Sequence, residues 1–208
     1  MIGFPPGTQW WRSRGTGPGH RNRDRSGTAR GSILFLTGPY GAGKTTVAHR
    51  FAAESGFLRL DIDQPLGFKA YSLQKEWRAF SRHLDFTPLV TTLAERMHTT
   101  RCAGTVADLP GNNVLSMAAI EQAGASGICT VVLWGPECSC RATRRARDFA
   151  TGVVADERNY STRTMAAFQT YARHEYAAFR LDTFHADGTR VPLETLLMAV
   201  RSRLSGPG

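Results

Sequence analysis

Gly38-Pro39-Tyr40-Gly41-Ala42-Gly43-Lys44-Thr45 satisfies the spacing G-x-x-x-x-G-K-[ST], and each residue type in that pattern has a task toward phosphate. Glycines let consecutive backbone N–H groups curl around phosphate oxygens, the lysine ammonium reaches the terminal phosphates, and the threonine hydroxyl is a ligand for Mg²⁺. Gly38, Tyr40, Gly41, Ala42, Gly43, Lys44, Thr45 and Thr46 are therefore expected to hold a nucleotide. The apolar run Ile33-Leu34-Phe35-Leu36 leads into the loop. A helical segment from Lys44 to about Ser55 leaves it, so the positive end of a helix dipole also faces the phosphates.

Acidic residues follow two further strand-like runs. Leu60-Asp61-Ile62-Asp63 is a D-x-D whose alternate carboxylates share one side of an extended backbone. One of Asp61 and Asp63 is expected to serve Mg²⁺ and the other to orient or deprotonate an acceptor hydroxyl, with the division between them open. Asp108, in Val106-Ala107-Asp108-Leu109-Pro110-Gly111, stands where a second acid would hold Mg²⁺ through a water, and Asn112 or Asn113 would meet the acceptor.

The third constellation is basic. Arg141, Arg144, Arg145 and Arg147 crowd one predicted helix, with Arg141 and Arg145 on one face at i and i+4. A guanidinium fork matches phosphate oxygens and neutralises charge as a phosphoryl group moves. Arg141 and Arg145 are accordingly expected to be catalytic, Gly152 lets the following loop move, and Arg158 and Arg163 are further candidates to bind nucleotide or acceptor.

These groups need a scaffold that brings several strand ends together. Beyond Gly31, apolar strand-like runs alternate with longer helical patterns, the mark of a parallel sheet covered by helices. The expectation is an α/β protein of three layers, α/β/α, with a central parallel sheet of about five strands and a small helical lid. The strands are expected at Ile33 to Thr37, Phe57 to Leu60, Thr105 to Ala107, Ile128 to Trp134 and Phe179 to Phe184. Helices are expected at Ser72 to His83, Pro88 to His98, Val114 to Ala123, Glu137 to Phe149, Ser161 to Ala178 and about Leu193 to Leu204. Polar residues just past strand carboxyl ends are where such sheets bind ligands.

With 208 residues the chain suits one such domain, 32–204, after an amino-terminal arm and before a short 205–208 tail. The net charge of +9 is concentrated in residues 1–31, where Arg12, Arg14, Arg21, Arg23, Arg25 and Arg30 face Asp24 alone. Rich in Gly, Pro, Ser and Thr, that arm reads as disordered. No apolar stretch has the length of a membrane span and no secretory signal is apparent, so a cytoplasmic protein without membrane contact is expected, as a monomer or homodimer. Cys102, Cys129, Cys138 and Cys140 lack the spacing of a zinc site and read as reduced thiols.

On these residues, from Ser32 to Leu204, the chain resembles the small phosphate-loop kinases of the shikimate, gluconate and adenylate kinase group. The resemblance implies ATP and Mg²⁺ as cofactors and transfer of the γ-phosphoryl group to a hydroxyl or phosphate of a small-molecule acceptor. It also implies that Arg141 and Arg145 open a lid, Arg141 touching the nucleotide, and that Gly188 belongs to a loop near the adenine. Asp108-Leu109-Pro110-Gly111 stands in place of the triple glycine of shikimate kinases, and the Asp-Gly-x-Pro-Arg of adenylate kinases is missing, so neither acceptor carries over. Chloramphenicol phosphotransferases and zeta-type toxins share the architecture. The competing readings are a nucleic-acid kinase or ATPase using the basic arm, and a GTPase-like switch based on the D-x-x-G of Asp108 to Gly111, which lacks a following N-K-x-D.

Overall fold

The computed structural model describes residues 32–62, 72–111, 113–152 and 162–205, with no side-chain placement for 81, 82 and 162–164. The disordered-arm assignment, Asp63, Asn112, Arg158 and the side chain of Arg163 lie outside the described residues.

Five strands, β1 (Ser32–Thr37), β2 (Phe57–Asp61), β3 (Gly104–Asp108), β4 (Ile128–Trp134) and β5 (Arg180–Asp182), form one parallel sheet in the order β2-β3-β1-β4-β5. Among the described residues seven helices accompany them, six between strands and the last after β5: α1 (Lys44–Ser55), α2 (Gln74–His83), α3 (Thr87–Thr100), α4 (Met117–Ala125), α5 (Glu137–Ala150), α6 (Thr162–Tyr171) and α7 (Leu193–Ser205). The sheet is apolar on both faces because both are covered. Leu34, Leu36, Val106, Val131 and Leu133 pack with α1 and α7. The alternate residues Ile33, Phe35, Ala107 and Val132 pack with α2, α3, α4 and α6. One chain direction per face follows from right-handed crossovers: the step from β1 to β2 runs one way across the sheet and the later steps run the other. The three-layer α/β/α expectation holds.

Local signals explain most helix ends. Ser116 caps α4, its hydroxyl accepting from the Ala119 N–H at 3.2 Å. Pro88 opens α3 inside its first turn, and Gly56 in the left-handed region closes α1.

The long helix expected from Ser161 to Ala178 is two pieces. Helix α6 stops at Tyr171, and a 3₁₀ turn, His174–Tyr176, leads into β5. The cause is a tertiary network. Tyr171 Oη shares a 2.9 Å hydrogen bond with Thr37 Oγ1 and accepts the Leu115 N–H at 2.9 Å, while Tyr176 Oη donates to the Leu115 carbonyl at 3.1 Å. Both rings must reach the segment after β3, and Arg173 becomes extended to let them. The expected strand Phe179 to Phe184 is likewise trimmed to three ladder residues, after which Phe184 bridges Arg190 across a tight turn.

Candidate active site

The carboxyl ends of β1, β2, β3 and β4 converge on the Gly38–Thr45 loop. Its backbone demands glycine at two points. A Cβ on Gly38, at φ 138°, would stand 1.9 Å from the Leu133 carbonyl oxygen, and one on Gly41, at φ 81°, would stand 2.1 Å from that of Cys140. The loop is thus wedged between β4 and the start of α5. Lys44 opens α1 almost fully buried, and its ammonium donates to the Gly38 and Pro39 carbonyls at 2.9 and 3.0 Å. Thr45 and Thr46 are exposed in the first turn of α1. The helix has no side-chain cap, so its first amides remain for an anion.

On the β3 side, Asp108 is fully buried at the strand end and in register with Asp61 on β2. Burial pushes the Asp108 carboxyl above its ordinary value, Arg59 pulls it down, Asp61 raises it further, and the Thr45 hydroxyl and Arg59 hydrogen-bond the ionised form. Arg59 Nη2 donates to Asp61 Oδ2 at 2.8 Å and to Asp108 Oδ2 at 3.3 Å. Arg59 carries no sequence motif. The available signal was a charged residue inside a strand run, two positions before Asp61 and so on its face.

These residues suit a hydrated Mg²⁺. Asp108 Oδ1 is buried without a hydrogen-bond partner, leaving an acceptor for a metal-bound water beside the Thr45 hydroxyl.

The β4 side supplies α5. Arg144 stands over the Tyr40 ring, its guanidinium carbon 5.1 Å from the centroid, and the Lys44 ammonium faces the same ring at 5.6 Å. Arg144 is held in turn by buried Asp148, at 3.3 Å, which also takes two donors from Arg147. Arg141 and Arg145 line a neighbouring cavity of 580 Å³ with Glu137, Cys138 and Ala142, Arg141 pairing with Glu137 at 3.0 Å. The helix-face argument selected Arg141 and Arg145. Arg144, on the same helix, stacks on the phosphate loop, which only the position of Tyr40 reveals. The loop after Gly152 enters residues 153–161, outside the described ones.

The turn before α7 completes the rim. Arg190 stacks on Phe184 at 4.8 Å and donates to the Gly41 carbonyl at 3.0 Å, and Gly188, at φ 82°, faces Ser139 on α5. No motif in the sequence marks Arg190.

Similar solved structures include the APS kinase of Mycobacterium tuberculosis in complex with AMPPNP and APS, at 20% identity over 85% of this chain and 99% of that one, TM-score 0.53. The shikimate kinase of Acinetobacter baumannii in complex with shikimate matches at 21% identity, 82% and 91% coverage and TM-score 0.43. A gluconokinase from Sinorhizobium meliloti matches at 14%, 85% and 92%, with TM-score 0.43. The fold is that of the small phosphate-loop kinases. No protein-family model and no curated protein matches the chain. Within this phosphate-loop kinase fold, the glycine loop sits on the central strand, the two acids on one side of it and the arginine helix on the other. No described helix is long and apolar enough to cross a membrane.

Proposed function

We propose that the protein is an ATP-dependent phosphotransferase that moves the γ-phosphoryl group to a hydroxyl or phosphate of a small-molecule acceptor. The observation that carries this reading is the alignment of the strained glycine loop, buried Lys44 and the Thr45–Asp108 pair at one end of a parallel sheet. A solved structure of this fold holds AMPPNP and APS, a nucleotide and a small acceptor together.

In this reading the loop amides and Lys44 bind the β- and γ-phosphates of ATP. Thr45, with Asp108 and Asp61 beside it, would hold Mg²⁺, which would supply neutralisation of phosphate charge. Asp63 or Asp61 orients the acceptor hydroxyl and takes its proton. Arg141 and Arg145 border a cavity large enough for a small molecule and compensate charge as the phosphoryl group moves. Arg141 and the Gly188 turn border the nucleotide. Arg144, fixed by Asp148 and Tyr40, braces the loop from above.

A coupled ADP-release assay with ATP and Mg²⁺ tests this reading across nucleosides, nucleotides, sugar acids, shikimate, hydroxylated antibiotics and 5′-hydroxyl oligonucleotides. Lys44→Ala serves as the blank. Lys44-dependent ADP formation stimulated by one small acceptor is the expected result. Stimulation by oligonucleotides alone, or hydrolysis indifferent to every acceptor, overturns it.

A further inference from the structure

Arg59 has no task in the phosphate-binding pattern or in the acid motif, yet it contacts both acids of the site. It lies on the outermost strand, two residues before Asp61, so the two side chains leave the same face of β2. The register pair Asp61 and Asp108 sets a second carboxylate beside them on β3. Like charges directly opposite each other on neighbouring strands repel, and Asp108 has no exposure to water that would screen it. The Arg59 side chain, itself 23% exposed, spans both: one nitrogen, Nη2, donates to an oxygen of each.

We propose that Arg59 is a positioning residue that acts as the fixed counter-cation of the metal site, so that the protein takes a divalent ion together with nucleotide phosphates and not as a free ion. The inference rests on the phosphotransferase reading for the site's location. Two carboxylates and a neutral threonine hydroxyl would together offer a divalent cation a charge of minus two. Arg59 reduces that to minus one and engages an oxygen of each acid. Mg²⁺ sites of this kind keep several waters and draw the rest of their negative charge from substrate phosphates. Holding the acids apart at set positions also keeps Asp108 turned toward Thr45. A lysine would keep the charge, but its shorter side chain ends in a rotating ammonium and lacks the rigid guanidinium plane that aims Nη2 at both oxygens.

The test uses the full chain and Mn²⁺ as the probe, read by electron paramagnetic resonance without nucleotide and by titration calorimetry as Mn²⁺·ATP. Arg59→Gln is expected to bind free Mn²⁺ at least ~10-fold more tightly than wild type, because a positive charge a few ångströms from the ion is gone. Arg59→Lys is expected to leave free Mn²⁺ binding at the wild-type level while weakening Mn²⁺·ATP by roughly fivefold, the cost of misplaced carboxylates. Free Mn²⁺ bound no more tightly by Arg59→Gln than by wild type overturns the proposal. So does equal tightening by Arg59→Lys. Should Arg59→Gln fail to fold, Arg59→Lys decides alone, and wild-type affinity for Mn²⁺·ATP sinks the idea. Neither readout needs turnover, so failure of every acceptor in the ADP-release assay would remove the phosphotransferase reading and leave the Arg59 result standing.

Discussion

The Arg144 guanidinium lies over the ring of Tyr40, 5.1 Å from its centroid, and so ties the helix after β4 to a variable position of the phosphate loop. The Lys44 ammonium faces the same ring. Each such contact contributes about 0.5–1 kcal/mol where water has access. Tyr40→Leu keeps an apolar side chain and loses both. The Kd for Mg²⁺·ATP is expected to rise about fivefold, with kcat changed by less than about threefold. Calorimetric titration beside steady-state kinetics checks this; unchanged affinity would mean the ring is only a spacer.

Removing Arg141 and Arg145 should act on turnover. The double variant Arg141→Gln with Arg145→Gln is expected to lower kcat by about 10²-fold, as loss of phosphate-directed guanidinium groups does. The KM for ATP should stay within about threefold of wild type. A variant with full turnover would return both residues to the class of solvated surface charge.

Two glycines should respond to the same substitution with opposite signs. Gly38→Ala forces a Cβ onto the Leu133 carbonyl at φ 138°, a backbone contact that no side-chain rotation relieves. Loss of stability of about 3 kcal/mol or more, with loss of nucleotide binding, is expected. Gly124 lies exposed within α4, with open space around the added methyl group and no left-handed backbone. Gly124→Ala should stabilise by about 0.5–1 kcal/mol. Urea melts of the two variants read both signs.

Tyr171 makes folding sensitive to alkali. Burial pushes its hydroxyl from an ordinary 10.0 up to about 12, against weaker opposing hydrogen bonds from Thr37 and Leu115. The unfolded chain therefore releases this proton first. The contribution to stability is complete below pH 10.0 and falls away as pH rises through about 12, by about 2–3 kcal/mol in total. Tyr176, raised by burial as well, adds to the slope in the wild type. Urea melts from pH 8 to 12 should show a shallower decline for Tyr171→Phe. At pH 8 that variant should already be about 1–3 kcal/mol less stable, because the Leu115 N–H and Thr37 lose their partner. Parallel curves for the two proteins would refute the assignment.

The phosphate loop, all five strands, the last drawn too long, and both acids of the described site were legible in the chain because each is a local signal: a spacing, an apolar run, an acid at its end. What could not be read depended on distant partners. Nothing near Tyr171 marks a helix end, since no glycine or proline follows it until Gly188; the stop is set by Thr37 and Leu115, 134 and 56 residues away. Choosing among Arg141, Arg144 and Arg145 required knowing which face of α5 meets Tyr40, and helical periodicity gives faces without saying what they face. For Arg59, alternation marks only a side chain on the α1 face of β2, and the register of β2 on β3 is what shows that two carboxylates await it there.

The strand order has a last consequence. Since β1 lies third of five, the phosphate loop it carries is flanked by β3 on one side and by β4 on the other. On the proposed reading, the carboxylates of Asp61 and Asp108 approach the phosphates from one flank and the guanidinium groups of α5 from the other.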